Sequence, residues 1–348
     1  MDKLKPADAT KQLPRLDLKT GINHSPHVVI LGAGASRACL PQGDKNGKKL
    51  PVMNDFIETL NLRKTIEALG HNPTENFETL YSAIHASKNE SAVRELDVAT
   101  RHYFESLELP ITPTLYDYLV LSLRPKDMII SFNWDPLLPQ AFQRWRKLGA
   151  VLPELVFLHG NTDVGVNIEK KSYGFLSDKG AKIQLSPTPL LYPVLQKDYA
   201  SDPFIANQWD LATSTLAEAY FVTIFGYSAP RTDVQARSLL QNAWLSNPTR
   251  YLAQIDIIDI QDRETLEKNW FEFIVKEQSV SIRTDIVGSY LFNYPRRSCE
   301  AIAFATLQQK PWHDNPFPPC RTLAELENWT NRLIVEEARG KLADKGCG

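Results

Sequence analysis

The chain has 348 residues, 43% of them apolar and 23% charged, an ordinary balance for a globular protein of about two domains' length. Its formal net charge of −2 is too small to gather nucleic acid or to hold it on an anionic membrane surface, so direct nucleic-acid binding is not expected. No apolar run approaches the roughly 18 residues that a bilayer demands, and Met1 to Lys19 carry charge without an apolar core. Cys39, Cys299, Cys320 and Cys347 stand apart, fitting neither a disulfide framework nor a thiolate zinc site. A cytoplasmic protein without a membrane span is the expectation.

In chain order, residues 1–25 read as an irregular polar arm. His27 to Leu31 is an apolar run that stops at Gly32-Ala33-Gly34-Ala35-Ser36-Arg37. Such a run reads as a buried strand turning sharply into a helix, where glycine allows close backbone approach and the helix start aims N–H groups at an anion. A plain strand-to-helix turn explains the glycines equally well. A Gly/Lys-rich loop, Pro41 to Lys49, follows beside this turn.

Helical periodicity then takes over. Met53, Phe56, Ile57 and Leu60 mark one face. Phe77, Leu80, Tyr81 and Ile84 mark another, with a start expected at Asn72-Pro73. Val93, Leu96, Tyr103 and Phe104 continue the pattern, and Thr112-Pro113 opens a helix carrying Leu115, Tyr118 and Leu119. Residues 50–124 therefore read as a helical module inserted between two strands of a sheet.

The sheet resumes with Met128 to Phe132, ending in Asn133-Trp134-Asp135-Pro136, where Asp135 and Pro136 make a good helix start. Leu155 to Leu158 is a short buried strand ending in His159-Gly160. Residues 161–208 carry many Gly, Pro, Lys and Asp without a period, and read as loops with a short hairpin. Trp209 to Ala219 is helical. Phe221 to Phe225 is a strand ending in Gly226-Tyr227-Ser228, a helix begins at Asp233, and Tyr251 to Ile260 is the last convincing strand. Leu266, Trp270, Phe273 and Ile274 mark a later helix, and Pro311 to Pro319 precedes a terminal one from Thr322 to about Lys341.

Strands that repeatedly end in a polar tip and turn into a helix argue for an α/β fold, a doubly wound Rossmann-like parallel sheet with ligands at the strand C-termini. The expected organisation is an arm (1–25), a nucleotide-binding domain (26–260) with the helical insertion at about 50–124, and a C-terminal helical extension (261–348). A hydride-transfer fingerprint fits poorly. Its third glycine is replaced by Arg37, and its second strand by a Lys-rich loop and helices.

The series Gly32-Ala33-Gly34-Ala35-Ser36, Ser131-Phe132-Asn133-Trp134-Asp135, Leu158-His159-Gly160 and Gly226-Tyr227-Ser228 resembles the sirtuin superfamily, most closely the bacterial sirtuin-like NADases of anti-phage defence. The likeness covers about residues 27–260 and includes Lys197-Asp198-Tyr199 and Ala229-Pro230-Arg231-Thr232-Asp233. It departs from protein-deacylating sirtuins twice. Residues 161–225 contain no cysteine, where those enzymes hold a structural zinc, and Phe132 stands where they usually place Gln.

The resemblance implies hydrolysis of NAD, as substrate and without a metal, at the nicotinamide–ribose bond. It implies phosphate binding at Gly32, Ala33, Gly34 and Ser36, with Gly226 and Ser228 at the phosphates or the adenosine ribose. Asn133 would hold water or a ribose hydroxyl and His159 would act as general base. Asp135 would orient Asn133 or engage the nicotinamide amide. It also implies a defence effector gated by homo-oligomerisation, a small signal or a separately encoded activator. The competing readings are a silent subunit that senses NAD or ADP-ribose, and a protein deacylase.

Taken singly, Asp135 also reads as a helix cap, His159 as a structural histidine, and Arg37 as a surface ion pair. Asp256 or Asp259 could reach an adenosine ribose. His71, His85, His102 and His313 lack metal-ligand spacing and read as structural or surface residues.

Overall fold

Val28, Val29, Ile30 and Leu31 are all fully buried, which requires cover on both faces of the strand that they form. Their side chains alternate. Val29 and Leu31 enter one hydrophobic core, and Val28 and Ile30 the other. In a computed structural model, which describes residues 15–17, 22–170, 172–178, 180, 184–192, 199–229, 233–247, 252–274, 279–307 and 312–339, this strand lies inside a six-stranded sheet.

A small antiparallel arm, β1 (Leu16–Asp17) with β2 (Ile22–Asn23), leads into β3 (His27–Leu31) and α1 (Ala33–Cys39). The helical insertion follows as α2 (Phe56–Thr59), α3 (Arg63–Ala68), α4 (Phe77–Ala86), α5 (Glu90–Glu105) and α6 (Leu115–Leu121). β4 (Met128–Ser131), α7 (Leu137–Lys147) and β5 (Glu154–Phe157) come next. Then β6 (Val164–Asn167), β7 (Ser172–Phe175) and β8 (Ser186–Pro187) form a separate antiparallel sheet. The chain continues through α8 (Pro203–Glu218), β9 (Phe221–Phe225), α9 (Val234–Leu245), β10 (Gln254–Ile258), α10 (Arg263–Trp270) and β11 (Ser279–Arg283). It closes with α11 (Tyr290–Asn293), α12 (Ser298–Leu307) and α13 (Leu323–Ala338). Among the described residues no helix is long and apolar enough to cross a membrane.

The main sheet is parallel throughout, in the order β11-β10-β9-β3-β4-β5. Strand order reverses between β3 and β9, so this α/β protein is doubly wound, with its switch point where the two strands pair from His27↔Phe221 to Leu31↔Phe225. The helical insertion packs on one face through Phe56, Phe77, Leu80 and Leu96, while α8, α9 and α10 cover the other through Trp209, Trp244 and Trp270.

Several sequence boundaries move. The sheet runs past residue 260, because β11 lies in the stretch expected to be a helical extension. α4 starts at Asn76, whose side chain accepts from the Glu78 amide, while Asn72 instead bonds Thr74 in a local turn. α6 starts at Thr114, which forms a capping box with Asp117. α8 starts at Pro203, six residues before Trp209, because the Asp202 carboxylate accepts from two amides at its N-terminus. The stretch 161–208 holds three short strands where one hairpin was expected.

Candidate active site

The tips of β3 and β9 touch through backbone alone. A Cβ on Gly32 would lie 2.5 Å from the Gly226 carbonyl oxygen, and one on Gly226 would lie 2.2 Å from the Ala35 nitrogen. Gly226 also has φ +61°, a left-handed conformation that glycine adopts without penalty. The Gly32 amide donates to the Phe225 carbonyl (3.1 Å), and the Gly34 amide to the Gly226 carbonyl (3.0 Å). Two N–H groups expected to face phosphate are thus engaged in joining the strand tips. Ala33 and Gly34 remain half-buried at the rim.

Ser36 is likewise committed. Its hydroxyl donates to Asp135 Oδ2 (2.6 Å) and accepts from Asn133 Nδ2 (2.9 Å). The Tyr116 hydroxyl lies 2.6 Å away, and because the serine proton is engaged, tyrosine is the donor. Ser36, expected to meet a phosphate, thus sits in a buried knot of four side chains with Asp135, Asn133 and Tyr116.

Asn133 sits just beyond β4 and is nearly buried, with 7% exposure. Its Nδ2 donates to the Gly32 carbonyl at 2.8 Å. That acceptor-only partner fixes the amide orientation and turns Oδ1 the other way. Among the described residues no donor reaches Oδ1, so one acceptor atom is held in place beside the switch point. Asn161 grips the same loop, donating from Nδ2 to the carbonyls of Asn133 (3.1 Å) and Asp135 (2.7 Å).

Asp135 Oδ1 accepts from the Leu137 amide at 3.2 Å, but the helix begins at Leu137, so Pro136 takes the N-cap position expected of Asp135 and the aspartate stands one residue before it. Burial pushes its carboxyl up to about 6, against the pull of the Ser36 hydrogen bond. Trp134 turns away from the site into the helical insertion, 5.8 Å from Phe104 and 5.1 Å from Tyr192 between ring centres.

His159 follows β5 and is 8% exposed. The Phe132 ring meets it edge-on at 4.8 Å and stacks on Tyr227 at 4.2 Å, linking the β4, β5 and β9 tips in one aromatic contact. His159 Nε2 lies 3.2 Å from the Tyr199 hydroxyl and 3.4 Å from Asp233 Oδ2, and Tyr199 donates to Asp233 Oδ1 at 2.8 Å.

The structure thus joins Gly32, Ser36, Asn133 and Asp135 in one cluster and places His159 in another, with Phe132 and Asn133 adjacent in sequence between them. Ser228 is half-buried and its carbonyl accepts from Asn269 (3.3 Å). Among the described residues no hydrogen bond joins its hydroxyl to either cluster. Arg37 forms an ion pair with Asp55 at 2.5 Å. Asp256 is fully buried and accepts from Gln254. Lys197, Asp198 and Pro230 to Thr232 lie outside the described residues, as does Cys347.

Tyr116, Asn161 and the roles of Tyr199 and Asp233 were not foreseen. Tyr116 looks like any apolar-face residue of a helix, and Asp233 like a helix start. Among the described residues no group of His, Cys, Asp and Glu could hold a metal ion.

No protein-family model matches the chain, and no curated protein matches it. Among solved structures, a Sir2 homologue in complex with NAD is 13% identical, with 86% of this chain and 94% of that one covered and a TM-score of 0.39. A mutant Sir2 homologue in complex with ADP-ribose is 13% identical over 81% and 92%, with a TM-score of 0.40. Sir2 with an inhibitor, 2'-O-acetyl-ADP-ribose and a deacetylated peptide is 10% identical over 82% and 94%, with a TM-score of 0.38. All three are distant likenesses.

Proposed function

We propose that this chain is a sirtuin-like NAD glycohydrolase, which adds water across the bond between nicotinamide and ribose to release nicotinamide and ADP-ribose. The observation that carries the reading is Asn133: a neutral amide fixed by Gly32, its Oδ1 unbound among the described residues, at a strand tip beside the switch point and adjacent to the tip that bears His159.

Nicotinamide leaves a cationic pyridinium as a neutral base, so its departure needs little acid. The ribose develops oxocarbenium character, as in glycoside hydrolysis. What remains is to place a water and take its proton. Asn133 Oδ1 can accept from that water or from a ribose hydroxyl, and His159 is the base, being the side chain whose ordinary titration lies near neutrality. The Ser36–Asp135–Tyr116 knot holds Asn133. Ala33 and Gly34 at the rim, with Ser228, are the remaining candidates for the dinucleotide's phosphates.

The missing thiolates weigh against a protein deacylase. Residues 161–225 contain no cysteine, and β6, β7 and β8 form a separate antiparallel sheet there. The resemblance to defence NADases extends the proposal to depletion of NAD on infection, with activity gated by self-association or an activator.

The test is cleavage of a fluorogenic etheno-NAD by the chain alone and with the products of neighbouring genes. Asn133→Ala and His159→Ala should each lower turnover by about 10²-fold or more. Absence of cleavage under every condition, with NAD binding retained, would establish the silent sensing reading instead. NAD-dependent deacetylation of a peptide would establish the deacylase.

A further inference from the structure

Asp233 occupies the N-cap of α9 but makes no side-chain bond to its own helix. A carboxylate in that position ordinarily caps the first amides. Here it is 5% exposed, accepts from the Tyr199 hydroxyl at Oδ1, and presents Oδ2 to His159. The three side chains come from different segments: the end of β5, the run into α8, and the start of α9.

Proton accounting assigns the ring. An ionised carboxylate only accepts, and a tyrosine hydroxyl has one proton, which is given to Asp233 Oδ1 at 2.8 Å. The two described groups near His159 Nε2 are therefore both acceptors, at 3.2 and 3.4 Å. We propose that Asp233, with Tyr199, fixes His159 in the Nε2–H tautomer and makes Nδ1 the basic atom of the ring.

Asp233 and Tyr199 are positioning residues in this scheme, and His159's catalytic part rests on the glycohydrolase reading above. The logic is that of a base whose far nitrogen is held by a carboxylate, which sets the tautomer and stabilises the imidazolium after proton capture. Burial and the neighbouring Asp233 charge push the Tyr199 phenol up, so it keeps its proton through the neutral range. Among the described residues, Tyr227 is coupled to both Tyr199 and Asp233, and Arg237 and Glu78 act in turn on Tyr227. The inference deepens the proposed site, because it says which face of the imidazole must meet the water or hydroxyl.

The test uses the full chain with its histidines labelled with heavy nitrogen, the His159 signals being identified by their loss in His159→Ala. The wild-type ring should read as Nε2–H. Asp233→Asn should mix or reverse the tautomer, since an amide can also donate to Nε2. It should lower kcat by about 10²-fold with little change in KM. It should also move the acid limb of the kcat/KM profile to lower pH, because the imidazolium loses its carboxylate. Tyr199→Phe should keep the tautomer, with a smaller fall in kcat. A wild-type ring protonated at Nδ1, or a tautomer unchanged in Asp233→Asn, overturns the proposal. If the wild type shows Nε2–H and Asp233→Asn disturbs it, yet no NAD is cleaved, the tautomer assignment stands and the glycohydrolase reading falls.

Discussion

Tyr116 has the most to reveal at the scale of single residues. Its ring is fully buried in the helical insertion, yet its hydroxyl reaches Ser36 at 2.6 Å and Asn133 at 3.3 Å. Tyr116→Phe keeps the ring and removes that donor, so it should cost about 1 kcal/mol of stability in urea unfolding. It should also lower turnover, by loosening Asn133. Asp135 makes a prediction with a definite sign. Its carboxyl stands at about 6 in the folded protein against a usual 3.8, so the folded state holds the proton more tightly than the unfolded one. The resulting stability is fully present below about pH 4 and is lost as pH rises through 6, by roughly 3 kcal/mol at most. Asp135→Asn abolishes that dependence, and urea unfolding of both proteins at pH 4.5 and 7 reads the difference. Asn133 and His159 could be picked out from the sequence because each ends an apolar run. The role of Ser36 could not be, because its three partners are brought to it by folding, from 80 to 99 residues away.

Among the elements, the contact of β3 and β9 decides whether the site exists. Gly226→Ala would place a Cβ 2.2 Å from the Ala35 nitrogen and 2.5 Å from the Gly34 carbonyl carbon, at φ +61°. Backbone must move on one side, at a cost on the order of 3 kcal/mol or more. Gly149 is the control: φ is +81°, but nothing lies within 4 Å of its added Cβ, so Gly149→Ala should cost only about 1 kcal/mol. Thermal unfolding separates the two, and only Gly226→Ala should also abolish the proposed NAD cleavage. The main-sheet strands β3, β4, β5, β9 and β10 were legible because apolar runs ended in polar tips. β11 was not. Its Ser279-Val280-Ser281-Ile282-Arg283 is a half-buried edge, short and polar on alternate residues, and no glycine turn marks its end. The stretch of β6 to β8 reads as no more than loops with a short hairpin for a related reason, since only Val164 and Gly165 among the residues of β6 are buried and β8 is exposed.

Across the whole molecule, the candidate site and a buried polar anchorage occupy opposite ends of the sheet. The C-terminal tips carry the candidate site. Near the N-terminal ends, three distant parts of the chain meet: Asn23 and His27 from the start, Arg124, Lys126 and Asp127 before β4, and Ser298 and Glu300 from α12. Arg124 pairs with Glu300 at 2.5 Å, and the Glu300 carboxylate also accepts from the Asn23 amide at 2.9 Å. Asp127 accepts from the His27 amide and from Lys126, both at 2.8 Å. Burial alone would raise the Asp127 carboxyl, but Lys126 and Arg124 outweigh it and hold it below the usual range. The His27 ring is fully buried, stacked on Phe221 at 4.0 Å and held by Ser298 (2.7 Å) and Thr223 (2.8 Å). Burial drives its pKa down to about 3 from the usual 6.5, so the folded chain refuses a proton that the unfolded chain accepts. Its contribution to stability is therefore fully present above pH 6.5 and declines as pH falls through that window, by about 1.4 kcal/mol per pH unit. At pH 5 the loss is roughly 2 kcal/mol, while Asp127 remains ionised in both states. The raised carboxyl of Asp135 works in the opposite sense but is common to wild type and variant, so it cancels in their difference. His27→Gln should be less stable than wild type at pH 7.5, having lost the stacked ring, and should lose less on acidification. Urea midpoints of the two proteins should then converge between pH 7.5 and 5. Parallel curves would show that the anchorage takes up a proton at little cost, and that acid sensitivity must be sought in the ion pairs around it.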